Sequence, residues 1–330
     1  MSGNSTNITV SLKLNSRQYK AKDKQILTFA LSNNSNQSVS LLKWHTPLEG
    51  ILNDMFWVKR EEEATDYLGK MVKRAAPKPE DYLTLEPKES VSTDFDISEV
   101  YDISKSGNYT VEFDSRLLDV GTEEPKVLSK RLAETGESTI QRLTSKAEFK
   151  LLEDRTPKQS KGIALKWSEQ LSAAAEKTDF RSCTTAQQNQ LNDALREAER
   201  IAKDAQGYLR DINPNARYVQ WFGNFEAGNY NKIVSDFDKI VDAIVNKSIT
   251  FNCSMEGCQE GTFAYVYPTQ PYEIHLCSSF WNANLTGTDS RGGTIVHELS
   301  HFNVVAVLFG KPVSLILQSL GYLTVNWSLV

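Results

Sequence analysis

The sequence predicts an α+β protein in two parts, an N-terminal antiparallel β-sandwich of Ig-like type over residues 1–115 and a helix-bearing region after it. Two observations carry this. Apolar and polar residues alternate at period two in the first part, and apolar residues recur at spacings of three and four in the second. At about 150 residues per domain, 330 residues suffice for two separate cores.

In chain order, Ile8-Thr-Val-Ser-Leu-Lys-Leu alternates strictly and Ile26-Leu-Thr-Phe-Ala-Leu less so, with the turn residues Ser32-Asn-Asn-Ser behind it. Further strand-like runs are Val39–Trp44, Met55–Lys59, Ser90–Phe95 and Tyr109–Phe113. Short strands at such spacing suit a sandwich. Residues 116–180, rich in Lys, Glu, Ser and Thr, are expected to form a linker or propart with one last strand at Ala147–Leu152. Leu191, Leu195, Ala198, Ile201, Ala202, Ala205 and Leu209 then mark an amphipathic helix, with Thr185 and Gln188 as its capping box and Asn213-Pro214 as its end. Ile233, Phe237, Ile240, Val241, Ile244 and Val245 mark a second helix, and strands are expected at Phe263–Tyr267 and Ile274–Leu276.

With 37 Lys+Arg against 42 Asp+Glu, the chain carries a formal charge of −5, and it has no dense basic block. Nucleic acid is therefore excluded as a partner. The weakly charged stretch Leu299–Val330 is interrupted by Lys311-Pro312, Gln318 and Asn326, a poor pattern for a spanning helix, so membrane association is not expected. Met1–Thr9 shows no basic region followed by an apolar one, hence no visible secretory signal. The four cysteines, Cys183, Cys253, Cys258 and Cys277, nevertheless read as two disulfides and an extracellular location. They lack CxxC spacing, which argues against a structural zinc cluster. A monomer is expected.

The strongest motif is His297-Glu298-Leu299-Ser300-His301. On a helix, residues i and i+4 stand one above the other, so both imidazoles can reach one metal ion. Gly292-Gly293-Thr294 can start that helix, and Ile295, Leu299, Phe302 and Ala306 form an apolar stripe away from His297, Glu298 and His301. Two neutral imidazoles suit Zn²⁺, and the intervening carboxylate suits a base that takes a proton from an attacking water.

Around this motif, Gly261-Thr-Phe-Ala-Tyr-Val-Tyr-Pro, Pro271-Tyr-Glu-Ile-His-Leu-Cys, Phe280-Trp-Asn-Ala, Gly287-Thr-Asp-Ser and Gly293-Thr-Ile-Val-His-Glu-Leu-Ser-His-Phe follow one another, with Arg217-Tyr-Val-Gln-Trp-Phe-Gly upstream. From about Cys183 to Ala306 the chain resembles the deuterolysin and peptidyl-Lys metalloendopeptidase family, the aspzincins. The resemblance implies a mostly helical zincin-like domain over residues 181–306 with a small antiparallel sheet. It further implies Zn²⁺ on His297 and His301, Glu298 as catalytic base, and protein or peptide substrates. An edge strand near Phe263–Tyr267 would hold an extended peptide, and the implied disulfides are Cys183–Cys253 and Cys258–Cys277.

The family's third ligand is an Asp in a Gly-Thr-x-Asp motif. Here the chain runs Val307-Leu308-Phe309-Gly310, with Gly310 at the Asp position and no Asp, Glu or Cys from Leu299 to Val330. Tyr322 is not in a matching motif, and the acidic residues of a Lys-selective pocket have no counterpart. His275 is the foremost substitute ligand, ahead of Asp289 and of Glu273, which should face solvent. Residues 307–330 form an atypical apolar tail, expected to derive from a retained intron, a frameshift or an alternative last exon. The alternative to a zinc endopeptidase is an inactive relative that binds peptides or proteins.

Overall fold

The structure, a computed structural model, describes residues 7–135, 138–157, 178–210, 218, 225–305, 307–308 and 311–312. It is mixed α and β and divides into two units. The first comprises Met1–Gly69 and Ala76–Lys161, the second Lys70–Ala75 and Gly162–Val330.

The first unit contains strands β1 (Ile8–Leu14), β2 (Gln18–Tyr19), β3 (Ile26–Asn33), β4 (Val39–Leu42), β5 (Phe56–Arg60) and β6 (Glu63–Ala64). Strand β7 (Met71–Arg74) belongs to the second unit. The first then continues with β8 (Tyr82–Leu85), β9 (Ser90–Asp96), β10 (Gly107–Gly121), helix α1 (Pro125–Thr135) and β11 (Gln141–Leu151). One sheet has the order β1-β3-β9, the other β2-β11-β10-β4-β8, with β5 also on β10 and β6 on β5. Every pair is antiparallel except the short β2–β11 contact. The period-two reading explains the core, because Leu27, Phe29 and Leu31 of β3 are buried while the residues between them are half-exposed. Phe29 meets Phe113 at 5.0 Å and Phe56 meets Phe95 at 5.5 Å, so aromatic rings join the two sheets.

Residues 116–151 are not a linker with one terminal strand. β10 runs on to Gly121 and pairs with β11 from Gly107↔Leu151 to Leu117↔Gln141, with α1 between them. The buried carboxylate of Asp119 anchors this segment, accepting bonds from Tyr82 Oη at 2.7 Å and Arg131 Nη2 at 2.8 Å. A buried carboxylate needs such partners, and here they come from β8 and α1.

The second unit continues with β12 (Thr178–Arg181), α2 (Thr185–Arg210), α3 (Ala227–Asn246), β13 (Ile249–Asn252), β14 (Thr262–Val266), β15 (Glu273–Leu276), α4 (Ser278–Asn282) and α5 (Arg291–Leu299). A short pair, β16 (Val307–Leu308) and β17 (Lys311–Pro312), follows. Its main sheet, β12-β13-β15-β14-β7, is mixed rather than small and antiparallel. β12, β13 and β15 are parallel, and β14 is antiparallel to both β15 and β7. The reason is connectivity. α2 and α3 lie between β12 and β13, and a helical crossover returns the chain in its original direction.

The capping box of α2 lies one residue earlier than the sequence predicts. Thr184 Oγ1 accepts from the Gln187 amide, and Gln187 Oε1 accepts from the Thr184 amide at 2.9 Å. Gln188 instead donates to the Cys183 carbonyl. The Ala-rich buried stripe of α2 lets α5 approach closely. A Cβ on Gly292 would lie 2.6 Å from Glu197 Cγ and 3.3 Å from the Ala198 nitrogen, so only glycine fits where α5 begins.

On α3, Asp236 is buried and neither carboxylate oxygen has a hydrogen-bond partner; Lys232 Nζ stands 3.8 Å away. Burial pushes its pKa up to about 6. An acid with a raised folded pKa is destabilising once the unfolded chain ionises, so the penalty grows from about pH 4 and is complete above about pH 6. Asp236→Asn is therefore expected to stabilise the protein by about 1–3 kcal/mol at pH 8 and by almost nothing at pH 4. Urea melts at the two pH values check this; an equal effect at both would remove the charge as the cause.

Candidate metal centre

Helix α5 is capped by Ser290, whose Oγ accepts from the Gly293 amide at 3.1 Å, so it begins at Arg291 rather than at the glycines. It also stops sooner than the stripe to Ala306 suggests. Ser300 Oγ donates to the His297 carbonyl at 2.6 Å, and the next amides bond three residues back, His301 to Glu298 and Phe302 to Leu299. A serine competing for a helical carbonyl favours this tightening. His301 still stands above His297. Their Nε2 atoms are 3.0 Å apart and the rings are nearly perpendicular, at 84°.

The ligand atoms of His297, Glu298 and His301 all lie within 4.8 Å of one another. Glu298 and His301 are fully buried, as are Ile295, Leu299 and Phe302, while His297 is half-buried, so the ligand face is only partly covered. Both Glu298 oxygens and His301 Nδ1 are buried without a hydrogen-bond partner. The two orphaned Glu298 oxygens beside two converging imidazoles fit a divalent cation. Two nitrogens on one tetrahedral zinc stand about 3.3 Å apart, close to the spacing here.

Burial keeps both imidazoles neutral, which is the ligating form. It drives His297 well below the usual range, helped by His301 and Lys73, and His301 to about 3, helped by Lys73. The same burial raises the Glu298 carboxyl well above its ordinary range, with Lys73 opposing.

Among the described residues this donor group does not include His275, Glu273 or Asp289. His275 instead stacks on Tyr265 at 4.5 Å, with Nε2 3.8 Å from Glu273 Oε1. Glu273 does not face solvent. It is buried because Arg181 Nη1 reaches it from β12 at 2.9 Å. Asp289 accepts from Lys73 Nζ at 2.8 Å. The sequence reading missed Lys73, and nothing local to Met71-Val-Lys-Arg signals its position. Gly310, Tyr322, Ala306, Asn213-Pro214 and most of Arg217–Gly223 lie outside the described residues; Tyr218 alone of that last block is described, buried against Phe225 and Tyr230. No helix among the described residues is long and apolar enough to cross a membrane.

The four cysteines are bridged as Cys183–Cys253 and Cys258–Cys277, with Cα–Cα distances of 5.0 and 5.5 Å. The first ties the end of β12 to the end of β13, and the second ties the loop before β14 to the end of β15.

The chain is 39% identical over 282 residues to an extracellular protease of Aeromonas hydrophila, covering 85% of this chain and 77% of that one. The family model described as lysine-specific metallo-endopeptidase, the aspzincins, matches residues 210–309. The chain belongs to the aspzincin family. This aspzincin is thus a metallo-endopeptidase by family. It is also 41% identical over 124 residues to a peptidyl-Lys metalloendopeptidase of Pleurotus ostreatus, covering 37% of this chain and 72% of that one. Among solved structures it is similar to a zinc peptidase from Grifola frondosa, with 29% identity and a TM-score of 0.36, covering 43% of this chain and 87% of that one.

Proposed function

We propose that this aspzincin is a zinc endopeptidase that hydrolyses peptide bonds in proteins, with His297 and His301 as metal ligands and Glu298 as general base. The observation that carries the reading is the orphaned Glu298 carboxylate beside two neutral imidazoles whose Nε2 atoms converge at 3.0 Å. A bound zinc ion supplies Lewis acidity and lowers the pKa of water to near 7. Glu298 takes the proton from the water that attacks the peptide carbonyl, holds it on its carboxylate, and passes it to the departing amine. Burial pushes the Glu298 carboxyl up, and a cation held by His297 and His301 would favour its ionised, proton-accepting form. Burial of Glu298 and His301 lowers the local polarity, which strengthens these charge interactions, while the half-buried His297 leaves the site open on its side.

Two disulfides and an extracellular protease as relative support a secreted protein. We read the first unit as a sandwich carried ahead of the catalytic unit. A second reading, a relative that binds peptides without cleaving them, is favoured by one fact. From Leu299 to Val330, His301 is the sole strong zinc-ligand side chain. Zinc content and casein hydrolysis separate the two. The endopeptidase reading expects about one zinc per chain, hydrolysis lost to chelator and restored by zinc, and at least a tenfold loss of zinc affinity in His301→Ala. A protein without zinc and without hydrolysis would establish the second reading.

A further inference from the structure

Thr294 lies on α5, one turn before the zincin motif, and is wholly buried. Its amide donates to the Ser290 carbonyl at 2.9 Å, as a helical amide should. Its hydroxyl does not follow the helical habit. A threonine in a helix ordinarily turns Oγ1 onto the carbonyl three or four residues back, here that of Arg291 or Ser290. Thr294 Oγ1 makes no such bond and has no hydrogen-bond partner among the described residues. The polar side chains of the preceding turn are engaged. Ser290 Oγ accepts from the Gly293 amide at 3.1 Å, and Arg291 Nη1 donates to Gln190 Oε1 at 2.9 Å. A buried hydroxyl without a partner is costly, so its presence at this position calls for a cause.

The same helix carries the complementary orphan. Both Glu298 oxygens are buried without a partner, and Glu298 follows Thr294 by four residues. Side chains at i and i+4 are neighbours on a helix, with Cβ atoms about 5–6 Å apart. Cα–Cβ bonds tilt towards the helix N-terminus, so the Glu298 side chain is directed back over Thr294 rather than away from it. At 3.6 residues per turn, Thr294 stands about 60° from His297 on one side of the axis and about 40° from Glu298 on the other. It therefore lies beneath the face on which the ligand atoms meet. A hydroxyl has a proton to donate and an ionised carboxylate has only lone pairs to accept it, so the two orphans match. Bonds to a charged acceptor are also the shorter and stronger kind.

We infer that Thr294 is a positioning residue for the general base: with metal bound, its hydroxyl donates to the Glu298 carboxylate and fixes the rotamer from which Glu298 meets the attacking water. Catalytic hydrogen bonds commonly tighten only in the loaded complex, and closing this one takes rotation of Glu298 between staggered wells. A base free to turn among its rotamers spends only part of its time in the productive geometry. Loss of the hydroxyl therefore slows the chemical step and leaves zinc on His297 and His301 untouched. A merely structural threonine predicts the reverse. Valine would then remove a desolvated hydroxyl, raise the melting temperature and leave kcat alone.

The inference rests on the reading of Glu298 as base, and its test keeps the two apart. Full-length chains carry either Thr294→Val, which keeps the shape and loses the hydroxyl, or Thr294→Ser, which keeps the hydroxyl. Thr294→Val is expected to lower kcat on casein at least tenfold with KM unchanged, and Thr294→Ser to retain at least about a third of the parental kcat. Zinc affinity, read by competition with a chelating dye, should stay within about threefold of the parent in both variants. A crystal structure of the zinc-loaded parent should place Thr294 Oγ1 about 2.5–3.0 Å from a Glu298 oxygen. Parental kcat in Thr294→Val, or a serine variant as slow as the valine one, would overturn the inference. So would a zinc-loaded structure with Oγ1 bonded elsewhere. Loss of zinc together with turnover in Thr294→Val would also overturn it, because the hydroxyl would then serve the helix that carries the ligands. A parent that loads zinc, shows the Thr294–Glu298 bond and cleaves nothing would keep the contact and sink the endopeptidase reading.

Discussion

Glu298→Gln is expected to lower peptide hydrolysis by about 10²–10⁴-fold, some 3–5 kcal/mol of barrier, without reducing zinc content. Glutamine has nearly the same shape and cannot accept the proton, so the loss falls on kcat rather than on KM. The buried setting of Glu298 adds a second expectation. Desolvation pushes its carboxyl up, and a dication held beside it would favour the ionised form. Zinc binding by the parent should therefore release one more proton than zinc binding by the variant. Calorimetric titrations in two buffers of different ionisation enthalpy measure that difference directly. Activity within threefold of the parent would remove Glu298 from the role of base, and equal proton release would show that it is already ionised without metal.

The parts of this molecule legible in the sequence are those set by local periodicity. β3 alternates because one face is core, and α2 carries its Leu and Ala residues at three and four because one stripe packs inward. The His297–His301 pair is legible for the same reason, since one helical turn brings i and i+4 together. What escaped depends on partners far along the chain. β7 is four residues without alternation, and its Lys73 finds Asp289 across a separation of 216 residues. Glu273 reads as a solvent-facing strand residue until Arg181, 92 residues earlier, neutralises it inside. The α2 cap is ambiguous by one residue in the sequence because Thr184 and Thr185 are each followed three positions later by glutamine, so only geometry distinguishes them. The early end of α5 hangs on one hydroxyl, Ser300, whose bond to the His297 carbonyl no periodicity encodes.

Replacing Cys183 and Cys253 together by serine is expected to cost the second unit about 4 kcal/mol. The bridge closes a loop with a sequence separation of 70, and cross-linking a loop of that length removes denatured-state entropy worth that amount in the chain-entropy description. Cys258–Cys277, with a separation of 19, contributes about 3 kcal/mol by the same reasoning. Domains are stable by only about 5–15 kcal/mol in total, so losing both bridges should leave the second unit largely unfolded. All four cysteines lie in that unit, which gives the experiment an internal control. In a thermal melt with strong reductant, the transition of the second unit should fall by more than about 10 °C while that of the first stays in place. A fall of both would mean that the first unit draws its stability from the second. A shift of less than about 3 °C in the second would mean that its mixed sheet and the α2–α5 packing hold the metal centre without the bridges. The reductant would then leave zinc binding intact, whereas the expected unfolding releases the metal together with the loss of β13 and β15.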